Sequence, residues 1–189
     1  MPLEEYGKKR DFEKTSEPPP EESSGGGNTY AIQKHDASRL HYDLRLEHDG
    51  VLLSWAVPKG PSRNPADKRL AVRTEDHPVD YADFEGAIPE DEYGGGAVML
   101  WDHGTYDNAK DKDLSRQLED GQLEVRIHGE KLKGGWALIR MNRGDGENWL
   151  LIKMKDEHAD RDGNITEDAP DSVKTGRSLE EIAAEQPEE

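Results

Sequence analysis

The stretch His35-Asp-Ala-Ser-Arg-Leu-His-Tyr-Asp-Leu-Arg-Leu-Glu47 decides how the rest of the chain is read. Its second half alternates without a break. Leu40, Tyr42, Leu44 and Leu46 fall on one parity, and His41, Asp43, Arg45 and Glu47 on the other. Strand side chains point alternately to opposite faces, so this is a β-strand with one apolar and one polar face. Residues two apart on one face rise about 6.6–6.8 Å along the strand. His and Asp side chains can close that gap onto one divalent metal through bonds of about 2.0–2.2 Å. His35 offers a third ligand from the preceding segment. Arg45 stands beside the set as a fork that matches a phosphate. The plainer reading is a solvated strand face with no special role.

Moving outward, His48-Asp-Gly50 is a hairpin turn, with Asp-Gly supplying positive φ. Val51 to Val57 returns as a buried strand, and Pro58-Lys-Gly-Pro61 stops it. Thr29 to Lys34 is a strand upstream, joined to the central one by a turn at 36–39. Lys68 to Glu75 is the next strand, with His77-Pro78 at its exit. Residues 81–93 read as a long polar loop with aromatic anchors. Ala97 to Trp101 is a strand closed by Asp102-His-Gly104. Leu114 and Leu118 mark a short helix ending at Gly121. Residues 122–128, 136–141 and 148–154 are further strands, the last two joined by a Gly-rich loop at 142–147. Trp55, Trp101, Trp136 and Trp149 all sit in strands and read as core rather than as base-stacking platforms. The expected fold is mainly β: a compact, mostly antiparallel barrel of about eight strands with a few short flanking helices.

The termini differ in composition. Residues 1–28, with Pro18-Pro-Pro20 and Gly25-Gly-Gly27, read as a flexible arm. Residues 29–155 are the barrel domain. Residues 156–189 are an acidic tail, in which Ser178 and Glu181 cap a short helix. The 189 residues are 32% hydrophobic and 35% charged, with net charge −17, and residues 156–189 alone hold 12 acidic and 3 basic side chains. Such a chain is not a bulk nucleic-acid binder. Contact with nucleic acid has to be local and helped by a metal. There are no cysteines, so no disulfide or thiolate site. The start is polar and no apolar run approaches 18 residues, so a cytoplasmic location without a membrane partner is expected.

The segments Gln33 to Glu47, Ser54-Trp-Ala-Val-Pro-Lys-Gly-Pro61, Lys68-Arg-Leu-Ala-Val72, Glu75-Asp-His-Pro78, Asp80-Tyr-Ala-Asp-Phe-Glu-Gly86 and Ile88-Pro-Glu90 together resemble one family. It is the 3′-phosphoesterase domain of bacterial DNA ligase D, which also occurs as a stand-alone protein. Gly134-Gly-Trp-Ala-Leu138 and Trp149-Leu-Leu-Ile-Lys153 extend the similarity, which runs from about Arg10 to Lys153. The resemblance implies a β-barrel and manganese-dependent removal of a 3′-terminal ribonucleotide, then of the remaining 3′-phosphate. It places metal ligands at His35, His41 and Asp43, and phosphate contacts at Arg45 and His77. Further active-site residues fall on Lys59, Arg69, Glu75 and Tyr81, and an N-terminal element on Arg10, Asp11 and Glu17. The implied partners are DNA or DNA/RNA 3′ ends, with a DNA ligase, a polymerase or a Ku-type end-joining protein nearby, and the chain is expected to be a monomer.

The donor set by itself suits Mn²⁺, Fe²⁺, Co²⁺ or Zn²⁺. His77 reads as a phosphate donor or a general acid, and Glu75 as the group orienting His77 or Arg69. His48, His103, His128 and His158 match nothing and read as surface residues. Three other readings compete. A non-catalytic end-binding module would not need the full His, Asp and Arg set. A nucleotidyl transferase would need Lys-x-Asp-Gly, which is absent. A cupin-type binding barrel would not need the basic clamp.

Overall fold

The computed structural model describes residues 3–21, 26–141 and 147–184. The alternating stretch forms strand β2 (Leu40–His48). Tyr42, Leu44 and Leu46 project into the main core, while Asp43 and Arg45, on the other parity, are buried as well. Both faces are therefore covered, and only one of them is apolar. Leu40 departs from the expected pattern: it is 44% exposed, because it pairs with Asp36 at the turn end of its hairpin.

Strand β1 (Thr29–Asp36) and strand β3 (Val51–Val57) flank β2. The β2–β3 turn is the one the sequence predicts, with Asp49 at φ 50° and Gly50 at φ 85°. Strands β4 (Arg69–Pro78), β5 (Gly86–Ile88), β6 (Gly96–Asn108), β7 (Gln122–Gly129), β8 (Lys133–Arg140) and β9 (Asn148–Lys153) complete the sheet. Its order is β1-β2-β3-β4-β9-β8-β7-β6-β5, and β1 also pairs with β6. Eight strands thus close into a barrel, and β5 is added to the outside of the ring along β6. Every pairing is antiparallel. Closure leaves no long unpaired edge. All four tryptophans are buried, and Trp55 meets Trp149 edge-to-face at 5.8 Å. They are core, as the sequence suggests.

Several elements run further than the sequence pattern. Strand β6 passes straight through Asp102-His-Gly104 instead of ending there. The buried Asp102 carboxylate accepts from the Tyr30 hydroxyl (2.8 Å) and from the backbone N–H of Glu130, Lys131 and Leu132 (2.9, 2.9 and 3.0 Å). A carboxylate so paired escapes the penalty of an orphaned buried charge. Gly104 lies where β7 crosses, and a Cβ there would overlap the His128 carbonyl oxygen. Strand β4 likewise continues through His77 and Pro78. The 81–93 stretch contains a 3₁₀ turn (Val79–Asp83) and β5 rather than loop alone. The Gly-rich connection after Met141 lies outside the described residues, apart from Glu147.

Among the described residues four short helices flank the barrel: α1 (Glu4–Lys8), α2 (Leu114–Asp120), α3 (Ile165–Asp168) and α4 (Leu179–Ala183). Helix α4 carries the capping box read from Ser178 and Glu181. Despite the charge of this region, Ile165 and Ile182 sit in the main core, and Trp101 Nε1 donates to the Ala169 carbonyl (2.9 Å). A second apolar cluster lies on the outer face of the barrel wall. Ala31, Leu52, Val98 and Leu100 are covered there by Tyr6, Tyr81, Ala82, Phe84 and Ile88. The polar face of β2 opens along the edge of this cover. Among the described residues no helix is long and apolar enough to cross a membrane.

Candidate metal and phosphate site

The site grows from the β1–β2 hairpin. His35 and His41 are directly opposite each other across the ladder, and Gln33 is opposite Asp43. Cross-strand neighbours on one face stand close enough for their side chains to meet. The His35 and His41 rings lie 5.0 Å apart, centroid to centroid. His35 Nδ1 is 3.7 Å and His41 Nε2 3.1 Å from Asp43 Oδ2. The other nitrogen of each ring faces a backbone carbonyl: His35 Nε2 faces Gly94 at 2.6 Å and His41 Nδ1 faces Arg39 at 3.0 Å. A carbonyl only accepts, so those two nitrogens carry the protons. The second nitrogen of each ring, His35 Nδ1 and His41 Nε2, faces the Asp43 carboxylate. This is the outer-partner arrangement that orients histidine ligands in metal sites. One donor atom from each of the three residues lies within 4.8 Å of the others, and among the described residues no other such cluster occurs. The residues present fit a divalent transition metal. The Arg45 charge and hydrogen bonds from both histidines outweigh burial and hold the Asp43 carboxyl well below the usual carboxylate range.

A phosphate-sized polar recess adjoins the trio. Arg45 is buried; its Nε donates to Gln33 Oε1 (3.0 Å), Nη2 lies 3.6 Å from Asp43 Oδ2, and Nη1 lies 3.3 Å from His77 Nδ1. His77 Nδ1 is closer to the Glu75 carbonyl, at 2.9 Å, and Nε2 faces Arg10 Nη2 at 3.4 Å. Arginine only donates, so the consistent tautomer has the proton on Nδ1 and the lone pair on Nε2. Burial, reinforced by the Arg45 and Arg10 charges, pushes the His77 pKa well below its ordinary value. At neutral pH it is an uncharged acceptor.

The described arm, residues 3–21, forms one wall. Arg10 Nε pairs with Glu17 Oε2 at 2.9 Å, and Arg10 Nη1 reaches Glu75 Oε1 at 3.6 Å. Tyr81 donates its hydroxyl to Glu17 Oε2 (2.7 Å), and its ring stands edge-on to His77 at 4.8 Å. The two guanidiniums are thus each matched by a carboxylate. The cavity of about 320 Å³ brings together His35, His41, Asp43, Arg45, Glu75, His77, Tyr81, Arg10 and Glu17. Three other residues of the sequence-based set lie elsewhere. Lys59 and Arg69 line a separate depression, where Arg69 Nη2 sits 3.7 Å from Asp67. Asp11 points outward, its carboxylate accepting from the Glu13 N–H (3.1 Å). Glu75 uses its carboxylate on Lys9 and Arg10 and its backbone on His77; among the described residues it makes no pair with Arg69.

The structure also adds residues that the sequence reading passed over. Tyr6 is fully buried, stacks under the Arg10 guanidinium at 3.9 Å and meets the His77 ring at 4.9 Å. Lys9 bridges Glu75 and Tyr93. Gln33 was legible in principle, since it shares parity with His35 along β1. Tyr6 and Lys9 had no such signal, because one aromatic and one lysine of the run Lys8-Lys9-Arg10 carry no period.

Comparison with known proteins gives the family. Residues 33–140 match the family model described as the DNA Ligase D 3'-phosphoesterase domain. The chain is 53% identical over 185 residues to the multifunctional non-homologous end joining protein LigD of Pseudomonas aeruginosa, covering 94% of this chain and 22% of that protein. It is 49% identical over 157 residues to LigD of Mycobacterium tuberculosis H37Rv, covering 82% of this chain and 20% of that protein. LigD of Mycolicibacterium smegmatis is 45% identical over 162 residues, covering 82% of this chain and 21% of that protein. The chain spans about a fifth of the length of these curated relatives. On the extent of the family match and the identity along most of its length, the chain belongs to the DNA ligase D 3′-phosphoesterase domain family.

Proposed function

We propose that this protein is a divalent-metal-dependent phosphoesterase that processes DNA 3′ ends. It removes a 3′-terminal ribonucleotide and then the remaining 3′-phosphate, leaving a 3′-hydroxyl. The observation that carries this reading is the meeting of His35, His41 and Asp43 with Arg45, His77 and Arg10 in one cavity. His35, His41 and Asp43 would hold the metal, which would supply Lewis acidity for phosphate-ester hydrolysis. Manganese is the favoured ion, with Co²⁺ or Zn²⁺ as substitutes.

The protein groups have separable tasks. Arg45 is fixed by Gln33 and Asp43, so its free edge can hold non-bridging oxygens without reorganising. Arg10 faces the same point from the arm. A phosphate dianion entering between them offsets both positive charges. His77, kept neutral by burial and by those charges, then gains proton affinity, and a proton taken up from water at Nε2 can pass to the leaving oxygen. Glu75 and Tyr81 keep Arg10, His77 and Glu17 in register. End joining, with a ligase, a polymerase or a Ku-type protein acting before or after, is the setting that the relatives' names support.

The test is incubation with Mn²⁺ and a primer ending in one ribonucleotide, with products resolved by length and by terminal phosphate. Loss of both products in His41→Ala and Asp43→Ala, with the fold retained, is expected. Full activity in either variant would overturn the reading. Tight binding to ends without turnover in the unmodified protein would instead identify a non-catalytic end-binding module.

A further inference from the structure

The cavity has a rim as well as a floor, and one rim residue is out of keeping with its surroundings. Tyr93 is 48% exposed, although it is aromatic and lines the same cavity as His35, Asp43 and Arg45. The other large apolar side chains exposed among the described residues, Leu40, Leu70 and Ile139, do not line this cavity. Tyr93 is also held in place. Its turn is closed by hydrogen bonds from the Glu92 N–H to the Pro89 carbonyl (3.0 Å) and from the Gly95 N–H to the Glu92 carbonyl (3.0 Å). The next residue, Gly94, accepts at 2.6 Å from His35 Nε2. The Tyr93 backbone is therefore tied to a metal ligand. Lys9 Nζ lies 3.4 Å from the Tyr93 hydroxyl and 5.0 Å from the ring centroid. The Arg10 guanidinium carbon also lies 5.3 Å from the ring centroid, and with both cations in place the residue is still half exposed. Ala37 and Ser38, both small, line the same cavity.

We infer that Tyr93 is the platform on which the 3′-terminal nucleobase stacks. This rests on the 3′-end reading above and deepens it. With the terminal phosphate on Arg45 and Arg10, the attached nucleoside must leave the cavity past its rim. The net charge of −17 gives the chain no broad attraction for duplex phosphates, so an end has to be held by local contacts. Stacking meets that need without charge. It is also indifferent to base identity, because every base has a π-face, and broken ends carry any base. Tyr93 thereby confers a preference for nucleosidic ends over other phosphomonoesters.

The test is a double-mutant cycle read by binding, with metal chelated so that no turnover occurs. Two oligonucleotides carry a 3′-phosphate; one ends in 2-aminopurine and the other in an abasic site. Binding is followed by anisotropy of a distant label, and stacking by 2-aminopurine quenching. The unmodified protein and Tyr93→Trp are expected to bind the base-bearing end roughly ten-fold or more tightly than the abasic end. Tyr93→Ala is expected to bind both alike and to lose the quenching. Because the side chain is half exposed, its truncation leaves the core intact. Equal discrimination by the unmodified protein and Tyr93→Ala would overturn the inference while leaving the 3′-end reading standing. Failure of the unmodified protein to prefer either 3′-phosphate end over a 3′-hydroxyl control would overturn both.

Discussion

Replacing Glu17 by alanine isolates what holds the arm against the barrel. The Glu17 carboxylate accepts from Arg10 Nε (2.9 Å), the Tyr81 hydroxyl (2.7 Å) and Thr15 Oγ1 (3.0 Å), and its side chain is 1% exposed. Removing one partner of a buried charge pair costs about 3–5 kcal/mol, because the other charge is left unmatched. Here the protein has a way out: the arm can swing clear and return Arg10 to water. The loss should therefore appear as local opening of residues 3–21, not as unfolding of the barrel. At about 1.4 kcal/mol per factor of ten, the opening equilibrium rises by roughly 10²–10³. Hydrogen exchange at the Gly7 and Lys14 amides, both bonded within the arm, reads that opening directly. Trypsin cleavage after Lys8, Lys9 and Arg10 reads it independently. Turnover on 3′-ribonucleotide ends should fall in parallel. Unchanged exchange and unchanged cleavage in Glu17→Ala would show that the carboxylate is not the latch and refute the reasoning.

Arg45→Lys keeps the charge but loses the fork, and 3′-phosphate release should fall by about 10²–10³-fold in kcat, measured by steady-state assay. His77 sets a pH dependence. Its folded pKa is depressed by burial, by Arg45 and by Arg10, so below about pH 6.5 the unfolded chain binds the extra proton first. Its contribution to stability is full above about pH 6.5 and is lost as pH falls, by up to about 1.4 kcal/mol per pH unit. His41 shifts upward, against the effect of burial, through its hydrogen bond to Asp43, and so works in the opposite sense. Urea titrations of the unmodified protein and His77→Gln across pH 5–8 separate the two. Ile182→Ala, at a fully buried position in α4, should lower stability by about 2–4 kcal/mol in thermal or chemical unfolding. Adding Mn²⁺ to chelator-treated protein at about one hundred times its Kd should add about 2.7 kcal/mol of stability, and Asp43→Ala should remove that gain.

Local chemistry made part of this legible. Strict alternation in β2 exposed the His41, Asp43 and Arg45 face. Asp49-Gly50 marked the hairpin, and Ser178 with Glu181 marked a helix start. In each case a few adjacent residues fix both pattern and conformation, so no distant contact is needed. The barrel class followed from the count and spacing of such segments.

The remainder depended on distant chain. Asp102 looks like a strand end until Tyr30 and the 130–132 amides are brought to it. Strand β4 holds one extra residue opposite the step from Leu52 to Ser54 on β3. That irregularity lets Thr74, Glu75 and His77 all line the cavity, although simple alternation would send them to different faces. Arg10, Glu17 and Tyr6 come from an arm whose own composition gives no reason to order. They are placed by Tyr81, His77 and Glu75, far along the chain. The sequence by itself determined the strand that carries the candidate metal ligands and the sheet class, because those are properties of neighbouring residues. Only the tertiary structure decided that the site lies on the outside of the barrel wall, roofed by the arm. Burial of a charge is worthwhile only where its partner stands, and that partner is chosen by packing rather than by proximity in sequence.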